Sequence, residues 1–219
     1  MYQIIGLPKT LTLFGTICLI VFLVLHYCNI PALLSGPLPD LWRAVSSSVI
    51  FGSGLLYLLG QTPAFAWLCR LPLVCKLFPP IDGEWDIHLD SNWGVMQKWL
   101  GQGDGSALYT VPGKVRIKSR FFNVMMEFES LNKYSESKTI TVSVRPSEQV
   151  GLFELNYMFI NYTLIPASTD ANTHNGAARI VVKQAGDDLF MEGTYFTDRK
   201  WTEGLNTAGK VTLTRRAEA

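Results

Sequence analysis

The residues best suited to chemistry lie in one stretch near the C-terminus, Tyr195-Phe196-Thr197-Asp198-Arg199-Lys200-Trp201. A guanidinium binds phosphate through paired hydrogen bonds, and flat aromatic side chains stack on bases. This stretch therefore predicts a binding site for a small ligand that carries phosphates and bases. The residues predicted to bind it are Tyr157, Tyr195, Thr197, Arg199 and Trp201. The alternative is structural, because Tyr and Trp line the mouth of any small barrel and Arg is common in turns.

Catalytic patterns are missing from the sequence. The three histidines, His26, His88 and His174, are scattered, and no His-Glu-x-x-His, Gly-x-Ser-x-Gly or Walker sequence occurs. The stretch Gly101-Gln102-Gly103-Asp104-Gly105 lacks the Gly-Lys-Ser/Thr of a phosphate-binding loop, so it predicts an ordinary loop. We expect a protein that is not an enzyme and that has no metal site and no cofactor.

The elements that position the binding residues are β-strands. Apolar and polar residues alternate with a period of two, which is typical of half-buried strands. The alternating runs lie at 85–89, 115–119, 124–128, 140–144, 153–159, 178–182, 189–197 and 211–213. Eight antiparallel strands with one apolar face close economically into a small barrel, and a β-sandwich is the alternative. The alternation places Tyr157, Tyr195 and Thr197 inside such a barrel, with Arg199 and Trp201 where their strand ends at its mouth.

The connections between these strands are polar and short. We predict turns at Leu131-Asn132-Lys133 and Ala185-Gly186-Asp187-Asp188, and a polar loop over 166–175. One or two turns of helix are predicted at Val95–Leu100. No longer amphipathic helix interrupts the strands.

The N-terminal part of the chain predicts two membrane spans. Leu11–Ile30 contains no acid, lysine or arginine, and twenty helical residues extend about 30 Å, the thickness of the hydrocarbon core. A signal peptide is the alternative, but its apolar region is usually shorter and is followed by a small-x-small cleavage site. Leu41–Leu59 predicts a second span, with Trp42 and Tyr57 near its two ends.

Small residues form a stripe along the second span. Ala44, Ser48 and Gly52 follow one another at four-residue spacing, so they share one helix face on which another helix can pack closely. Packing against the first span of the same chain and packing between copies both fit this pattern. Lys9, Arg70 and Lys76 flank the spans at their outer ends, which places both termini in the cytoplasm by the positive-inside rule.

Pro79-Pro80 marks the boundary between two kinds of sequence. Four of the 19 basic residues and one of the 18 acids precede residue 79, which leaves 15 and 17 after it. The sequence therefore predicts a two-span membrane module over 1–78 and a cytoplasmic β-barrel sensing domain over 79–219. A barrel domain that is slightly acidic overall disfavours polymeric nucleic acid as a partner.

The whole layout resembles a known family. Two spans, the Pro79-Pro80 boundary, the opening strand Gly83-Glu84-Trp85 and the C-terminal pattern Gly193-x-Tyr195 … Gly209-Lys210-Val211-Thr212-Leu213 are similar to the two-transmembrane, β-strand-rich effectors of bacterial cyclic-oligonucleotide anti-phage signalling, CBASS, with a STING-like β-barrel. The resemblance covers nearly the full chain.

This resemblance implies a function. The cytoplasmic barrel of such an effector would bind a cyclic dinucleotide that a partner nucleotidyltransferase makes after infection. Binding would drive the spans to form homo-oligomers in the bacterial inner membrane, and the disrupted membrane would kill the infected cell. The residues leave two other functions open: a membrane-anchored barrel for lipid or another apolar ligand, and a structural docking subunit.

Overall fold

The computed structural model describes residues 1–102, 108–185 and 188–216, and the chain divides into two compact units. The helical unit consists of Tyr2–Phe78 and Arg120–Phe122. The barrel unit contains Met1, Pro79–Ser119 and the chain from Asn123 onward. The predicted fold class is confirmed, because two long apolar helices precede a closed antiparallel barrel of eight strands.

The helical unit contains two helices that are long and apolar enough to cross a membrane. Its helices are α1 (Gly6–His26), α2 (Ile30–Ser35), α3 (Leu38–Gln61) and α4 (Ala64–Leu68), with short 3₁₀ turns at Tyr2–Ile4 and Tyr27–Asn29. An 18-residue window has a mean hydropathy of 2.3 in the span formed by α1 and α2, and of 1.3 in α3. Helix α3 ends before Pro63 because proline disfavours helical backbone in the preceding residue, and Thr62 is extended.

The small-residue stripe of α3 packs against α1 of the same chain. Ala44, Ser48 and Gly52 are buried. A Cβ added at Gly52 would lie 2.8 Å from the Sγ of Cys18 on α1 and 3.3 Å from its Cα. The stripe thus lets the two helix backbones approach closely, as small residues do in membrane helix pairs.

Aromatic rings form a compact cluster in the helical unit. Phe121 is 3% exposed, and its ring lies edge-on to those of Phe65 and Phe78 at centroid distances of 5.7 and 5.8 Å. The Phe121 N–H donates to the Gly60 carbonyl, and the Phe121 carbonyl accepts from the Tyr2 N–H, both at 2.7 Å. These contacts bind residues 120–122 tightly within the unit.

The barrel unit is one closed sheet in which each strand pairs with its sequence neighbours. Its strands are β1 (Gly83–Ser91), β2 (Tyr109–Ser119), β3 (Val124–Ser130), β4 (Ser135–Pro146), β5 (Phe153–Thr163), β6 (Thr173–Ala185), β7 (Asp188–Thr197) and β8 (Ala208–Arg215). Strand β8 returns to pair with β1, from Trp85 opposite Arg215 to Ser91 opposite Gly209. Closure leaves no free sheet edge, which rules out the sandwich alternative.

The apolar core of the barrel fills one of its two ends. The core side chains at the end where β1 begins are almost fully buried: Trp85, Val115, Ile117, Val144, Leu155, Ile180, Met191, Val211 and Leu213. The indole N–H of Trp85 donates to the Ile81 carbonyl at 3.0 Å. Gly209 allows a close strand approach, because a Cβ there would lie 1.9 Å from the Asp90 carbonyl oxygen.

The boundary segment is fixed to the barrel by an arginine. The Nη2 of Arg215 donates to the Pro80 carbonyl at 2.7 Å and to the Asp82 carbonyl at 2.6 Å. Ile81 between them is fully buried. These contacts add to the stiffness that two consecutive prolines give this segment.

Two details of the sequence prediction are wrong, one in a strand and one in a loop. The sequence pattern grouped Ile140 with Val144 on the inner face, but the register shifts between Thr139 and Thr141, and Ile140 is 60% exposed while Val144 is buried. The polar loop predicted over 166–175 ends earlier, because β6 already begins at Thr173. The register shift in β4 is a β-bulge. It changes which residues of β4 face inward, and periodicity alone does not reveal it.

The remaining connections agree with the sequence where they are described. The helical turns predicted at Val95–Leu100 form α5 (Trp93–Trp99). The turn at Leu131-Asn132-Lys133 is present, with a φ of 56° at Lys133. Residues 103–105 of the glycine loop and 186–187 of the β6–β7 turn lie outside the described residues.

Glu154 is a buried carboxylate on the outer face of the barrel. Glu154 is 1% exposed at its side chain, and it accepts hydrogen bonds from Asn156 at 3.0 Å, from Arg179 at 2.7 Å and from Arg145 at 2.5 Å. The hydrogen bond from Asn156 and those from the two arginines outweigh burial and lower the pKa of Glu154 to about 2. This Glu154 cluster links β4, β5 and β6.

Candidate ligand-binding site

The end of the barrel opposite the apolar core contains a cavity of about 610 Å³. It lies where β1, β3, β5 and β7 end, and residues from the four connections at that end contribute to its wall. A cavity of this volume falls in the range of small-molecule sites. Because the core fills the other end, the cavity is a closed-ended pocket.

The cavity wall has an apolar side and a polar side. Strands β1 to β3 supply mainly apolar side chains: Ile87, Leu89, Val111, Val115, Met126 and Phe128. Strands β4 to β8 and their loops supply most of the polar ones: Ser137, Asn161, Thr163, Asp170, His174, Tyr195, Thr197, Arg199 and Thr207. Such a wall can hold a ligand that has both flat apolar faces and charged groups.

Arg199 is the strongest chemical feature of the polar side. Its side chain is 12% exposed, and its guanidinium lies over the ring of Trp93, 4.5 Å from the centroid. The Nε donates to the Leu205 carbonyl at 3.1 Å, whereas the buried Nη2 has no hydrogen-bond partner within the described chain. Burial lowers the pKa of Arg199 from its ordinary value. A buried guanidinium nitrogen without an acceptor is unfavourable, and an anionic group that accepts its hydrogen bond would stabilise it.

Asp170 is the carboxylate closest to this guanidinium. Its Oδ1 lies 3.8 Å from the Nη1 of Arg199, and its side chain is 11% exposed. The same Oδ1 accepts from the Ala171 N–H at 2.8 Å, and Oδ2 accepts from the Tyr134 hydroxyl at 3.2 Å. Local donors therefore hold the carboxylate, and the contact with Arg199 is longer than a hydrogen bond.

His174 brings a second unsatisfied nitrogen to the cavity. Its Nδ1 is buried and has no hydrogen-bond partner among the described residues. Burial and the nearby charge of Arg199 lower the pKa of His174, against the opposing effect of Asp170 and Asp198. The imidazole is therefore neutral near pH 7 and can exchange one hydrogen bond with a ligand.

Two tyrosines of the predicted site also line the cavity. Tyr157 lies on its inner wall, and burial raises the pKa of its hydroxyl above the ordinary value. Burial also raises the pKa of Tyr195, which a hydrogen bond with Ser91 opposes. Both hydroxyls therefore stay protonated near neutral pH and can donate hydrogen bonds. Both tyrosines face the inside of the barrel, as the parity of their strands predicted.

The other two predicted residues have different surroundings. Thr197 lines the cavity, but its hydroxyl bonds to the Thr207 hydroxyl at 2.9 Å and accepts from the Thr207 N–H at 3.1 Å. Trp201 lies in a 3₁₀ turn after β7, is 70% exposed and is not among the residues that line the cavity. Thr197 thus joins β7 to β8, and the structure separates Trp201 from the other four predicted residues.

The structure adds Trp93, Tyr134, Asp170 and His174 to the site, none of which the sequence pattern singled out. A signal existed for His174, because Ala178 and Ile180 are buried on the same parity of β6. Extending that alternation back by four residues places His174 on the inner face. Trp93 and Asp170 lie in connections, where no periodicity predicts orientation.

The charge of the cavity wall is close to balanced. Among the described residues that line it, Arg199 is the sole permanent cation and Asp170 the sole carboxylate. The described part of the chain contains no group of three His, Cys, Asp or Glu side chains placed to hold a metal ion. The arrangement can recognise a ligand through one guanidinium, one neutral imidazole, hydroxyl groups and aromatic faces.

Two helices of membrane-spanning length precede a closed barrel that contains a half-polar pocket. No known family model matches the chain. Over 140 residues it is 30% identical to CD-NTase-associated protein 15 of Escherichia albertii, a protein not named as an enzyme, and the match covers 64% of each chain. The chain thus matches just under two thirds of that relative's length. This similarity confirms the resemblance to CBASS proteins that the sequence layout indicated.

Proposed function

We propose that this protein is a membrane-anchored effector of CBASS anti-phage defence whose barrel binds a cyclic dinucleotide. Binding drives the membrane helices of several copies to form a homo-oligomer, which disrupts the bacterial inner membrane and kills the infected cell. The name of the relative, a protein associated with a CD-NTase, supports the defence setting. The partner nucleotidyltransferase supplies the ligand.

The observation that carries the ligand assignment is the state of Arg199. Its guanidinium lies in the cavity wall with a buried Nη2 that no described residue accepts from. Burying such a group costs about 1–3 kcal/mol unless a partner arrives. A phosphodiester oxygen is a matching acceptor, and charge-assisted hydrogen bonds of this kind are strong.

The shape of the cavity favours a compact ligand over a polymer. The apolar core closes the far end around Trp85, so a nucleic-acid strand cannot pass through the barrel. A cyclic dinucleotide is compact enough for a pocket of about 610 Å³. Its bases can contact the rings of Trp93, Tyr157 and Phe128, which line the same space.

The helical unit supplies the membrane action in this proposal. Helix α1 of the same chain packs against the stripe Ala44, Ser48 and Gly52, which supports packing within the chain over packing between copies. Assembly between copies then uses the outer faces of α1 and α3, unless the ligand first opens the α1–α3 pair. The basic residues at the outer ends of the spans support cytoplasmic termini and a cytoplasmic barrel.

Ligand binding is tested with the full chain in lipid nanodiscs and a panel of 3′,3′-cyclic dinucleotides that covers the four bases. We expect at least one member to raise the unfolding temperature and to bind with 1:1 stoichiometry by calorimetry, because a ligand specific to the native state stabilises it. The ligand should also release dye from liposomes that contain the protein. No thermal shift with any member of the panel would refute the proposal.

The apolar half of the cavity favours a second candidate. Met126, Phe128 and Leu89 would suit an acyl chain, so the barrel could bind lipid without any killing activity. Mass spectrometry of the purified protein decides between the two. Co-purified lipid that remains bound after Arg199→Met would favour the lipid barrel, because an acyl chain has no use for the guanidinium.

A further inference from the structure

Asp170 lies close enough to Arg199 for its carboxylate to repel any anion that the guanidinium binds. Its carboxylate is 3.8 Å from Nη1, on a guanidinium whose other terminal nitrogen, Nη2, has no acceptor among the described residues. Both side chains are nearly nine-tenths buried, so water screens their charges weakly. An anion that reaches Nη2 therefore interacts with a cation and a carboxylate at once.

The carboxylate does not depend on Arg199 for its position. The Ala171 N–H and the Tyr134 hydroxyl hold its two oxygens. It therefore stays in place when a ligand binds the guanidinium. Asp198, which directly precedes Arg199 in the chain, is bound to Asn175 and does not line the cavity.

The charge balance of this pair sets a limit on the ligand. One cation and one carboxylate give the pair no net charge, and the neighbouring imidazole of His174 is neutral near pH 7. A phosphodiester carries one negative charge, whereas a terminal phosphomonoester carries nearly two at pH 7. Asp170 repels the second about twice as strongly, and the cost of burying charge rises faster than the charge itself.

We propose that Asp170 makes the cavity selective for an internal phosphodiester over a terminal phosphomonoester. This inference rests on the proposed function and adds a consequence to it. A cyclic dinucleotide contains phosphodiesters alone, and hydrolysis of one of them leaves a linear product with a terminal phosphate. A phosphodiesterase reaction would therefore end the signal by converting the ligand into a form that the pocket rejects.

The test compares each cyclic dinucleotide of the panel with its linear, 5′-phosphorylated form by calorimetry, on the full chain in nanodiscs at pH 7.5. The wild type should bind the linear form at least about tenfold more weakly. Asp170→Asn preserves the size of the side chain and removes its charge. It should tighten cyclic binding by about tenfold and linear binding by about a hundredfold, because the repulsion removed doubles with the ligand charge.

The matched control is Asp198→Asn, which makes the same charge change outside the cavity. It should leave the ratio of the two affinities within about threefold of the wild type. Circular dichroism and the unfolding temperature verify that both variants fold. Tyr134→Phe is a second test, because it removes one hydrogen bond to the Asp170 carboxylate without changing any charge. Tyr134→Phe should change the ratio less than Asp170→Asn does.

The outcomes separate this inference from the proposed function. If no cyclic form binds the wild type, both are wrong. If a cyclic form binds but the linear form binds equally well, or if Asp170→Asn leaves the ratio unchanged or weakens cyclic binding, the selectivity inference alone is wrong. In the last case Asp170 is a positioning residue for Arg199.

Discussion

The substitution Arg199→Met tests whether the arginine serves a ligand or the fold. Methionine keeps most of the length of the side chain and removes the guanidinium. If Arg199 is a structural ion-pair residue, its removal leaves Asp170 as an uncompensated buried charge, and breaking a buried pair of that kind costs about 3–5 kcal/mol. If Arg199 instead serves a ligand, the substitution should change the free energy of unfolding of the ligand-free protein only slightly.

The contacts of Arg199 allow the second case to be estimated. The variant loses the hydrogen bond from Nε to the Leu205 carbonyl, worth about 1 kcal/mol, and the contact with the Trp93 ring, worth about 0.5–1 kcal/mol. It gains about 1–3 kcal/mol, because Nη2 no longer lies buried without an acceptor. Asp170 keeps its two other donors. The net change in the free energy of unfolding, with the loss of the weak contact to Asp170 at 3.8 Å included, should therefore stay well below the roughly 3–5 kcal/mol of a broken structural ion pair.

The ligand should respond much more strongly than the fold. A charge-assisted hydrogen bond contributes about 1.5–3 kcal/mol, so Arg199→Met should weaken cyclic dinucleotide binding by about 10- to 150-fold. Chemical unfolding of the full chain in detergent measures the stability, and calorimetry measures the affinity. Trp201→Ala is the control, because this exposed ring lies outside the cavity and its loss should leave the affinity within about twofold.

The reasoning fails if the two measurements are reversed. A loss of about 3 kcal/mol or more in stability with an unchanged affinity would make Arg199 a structural residue of the β7–β8 connection. An effect of Trp201→Ala as large as that of Arg199→Met would place the ligand outside the cavity.

Three further predictions concern the rest of the chain. Glu154→Gln should destabilise the protein at pH 7 by about 1–2 kcal/mol, because a fall in the pKa of Glu154 to about 2 is worth at most about 3 kcal/mol and the half-exposed guanidiniums are screened. The wild-type advantage should be complete above about pH 4.5 and disappear as the pH falls toward 2. Replacing Pro79-Pro80 with Gly-Gly should leave ligand binding intact and reduce ligand-dependent dye release, because a flexible boundary transmits less movement. Gly52→Leu should separate α1 from α3 and lower the thermal stability of the full chain, since even a Cβ at this position meets Cys18.

Each of these predictions has a control. Urea unfolding at several pH values measures the Glu154 effect, and a difference that persists at pH 2 would contradict the assigned pKa. Full dye release by the Gly-Gly variant would reduce the proline boundary to a spacer. Gly54→Leu, where a Cβ would meet nothing within 4 Å, should be tolerated, and equal damage by both glycine substitutions would remove the close approach of the helices as the cause.

Periodicity was sufficient for most of the fold because strand faces repeat every two residues. The alternation of Tyr195 and Thr197 with Met191 placed the β7 side chains on the inner face, where the structure has them. It was insufficient at Ile140, where a bulge in β4 shifts the register by one residue. A bulge leaves no clear mark in composition, so the faces on its two sides cannot be connected from sequence.

The sequence by itself determined the two membrane-length helices, the eight strands and the residue types that suit phosphates and bases, since these follow from local periodicity and side-chain chemistry. Only the tertiary structure decided which end of the barrel is filled and which is open. It also brought Trp93 and Asp170 from two separate connections, and His174 from strand β6, to the cavity wall that contains Arg199. Arg199 contacts Asp170, about thirty positions away, and Trp93, about a hundred positions away. Such proximity arises from barrel closure rather than from any local pattern. The stretch Tyr195–Trp201 was thus identified by its chemistry, and the fold places Arg199 in the cavity wall and Trp201 outside it.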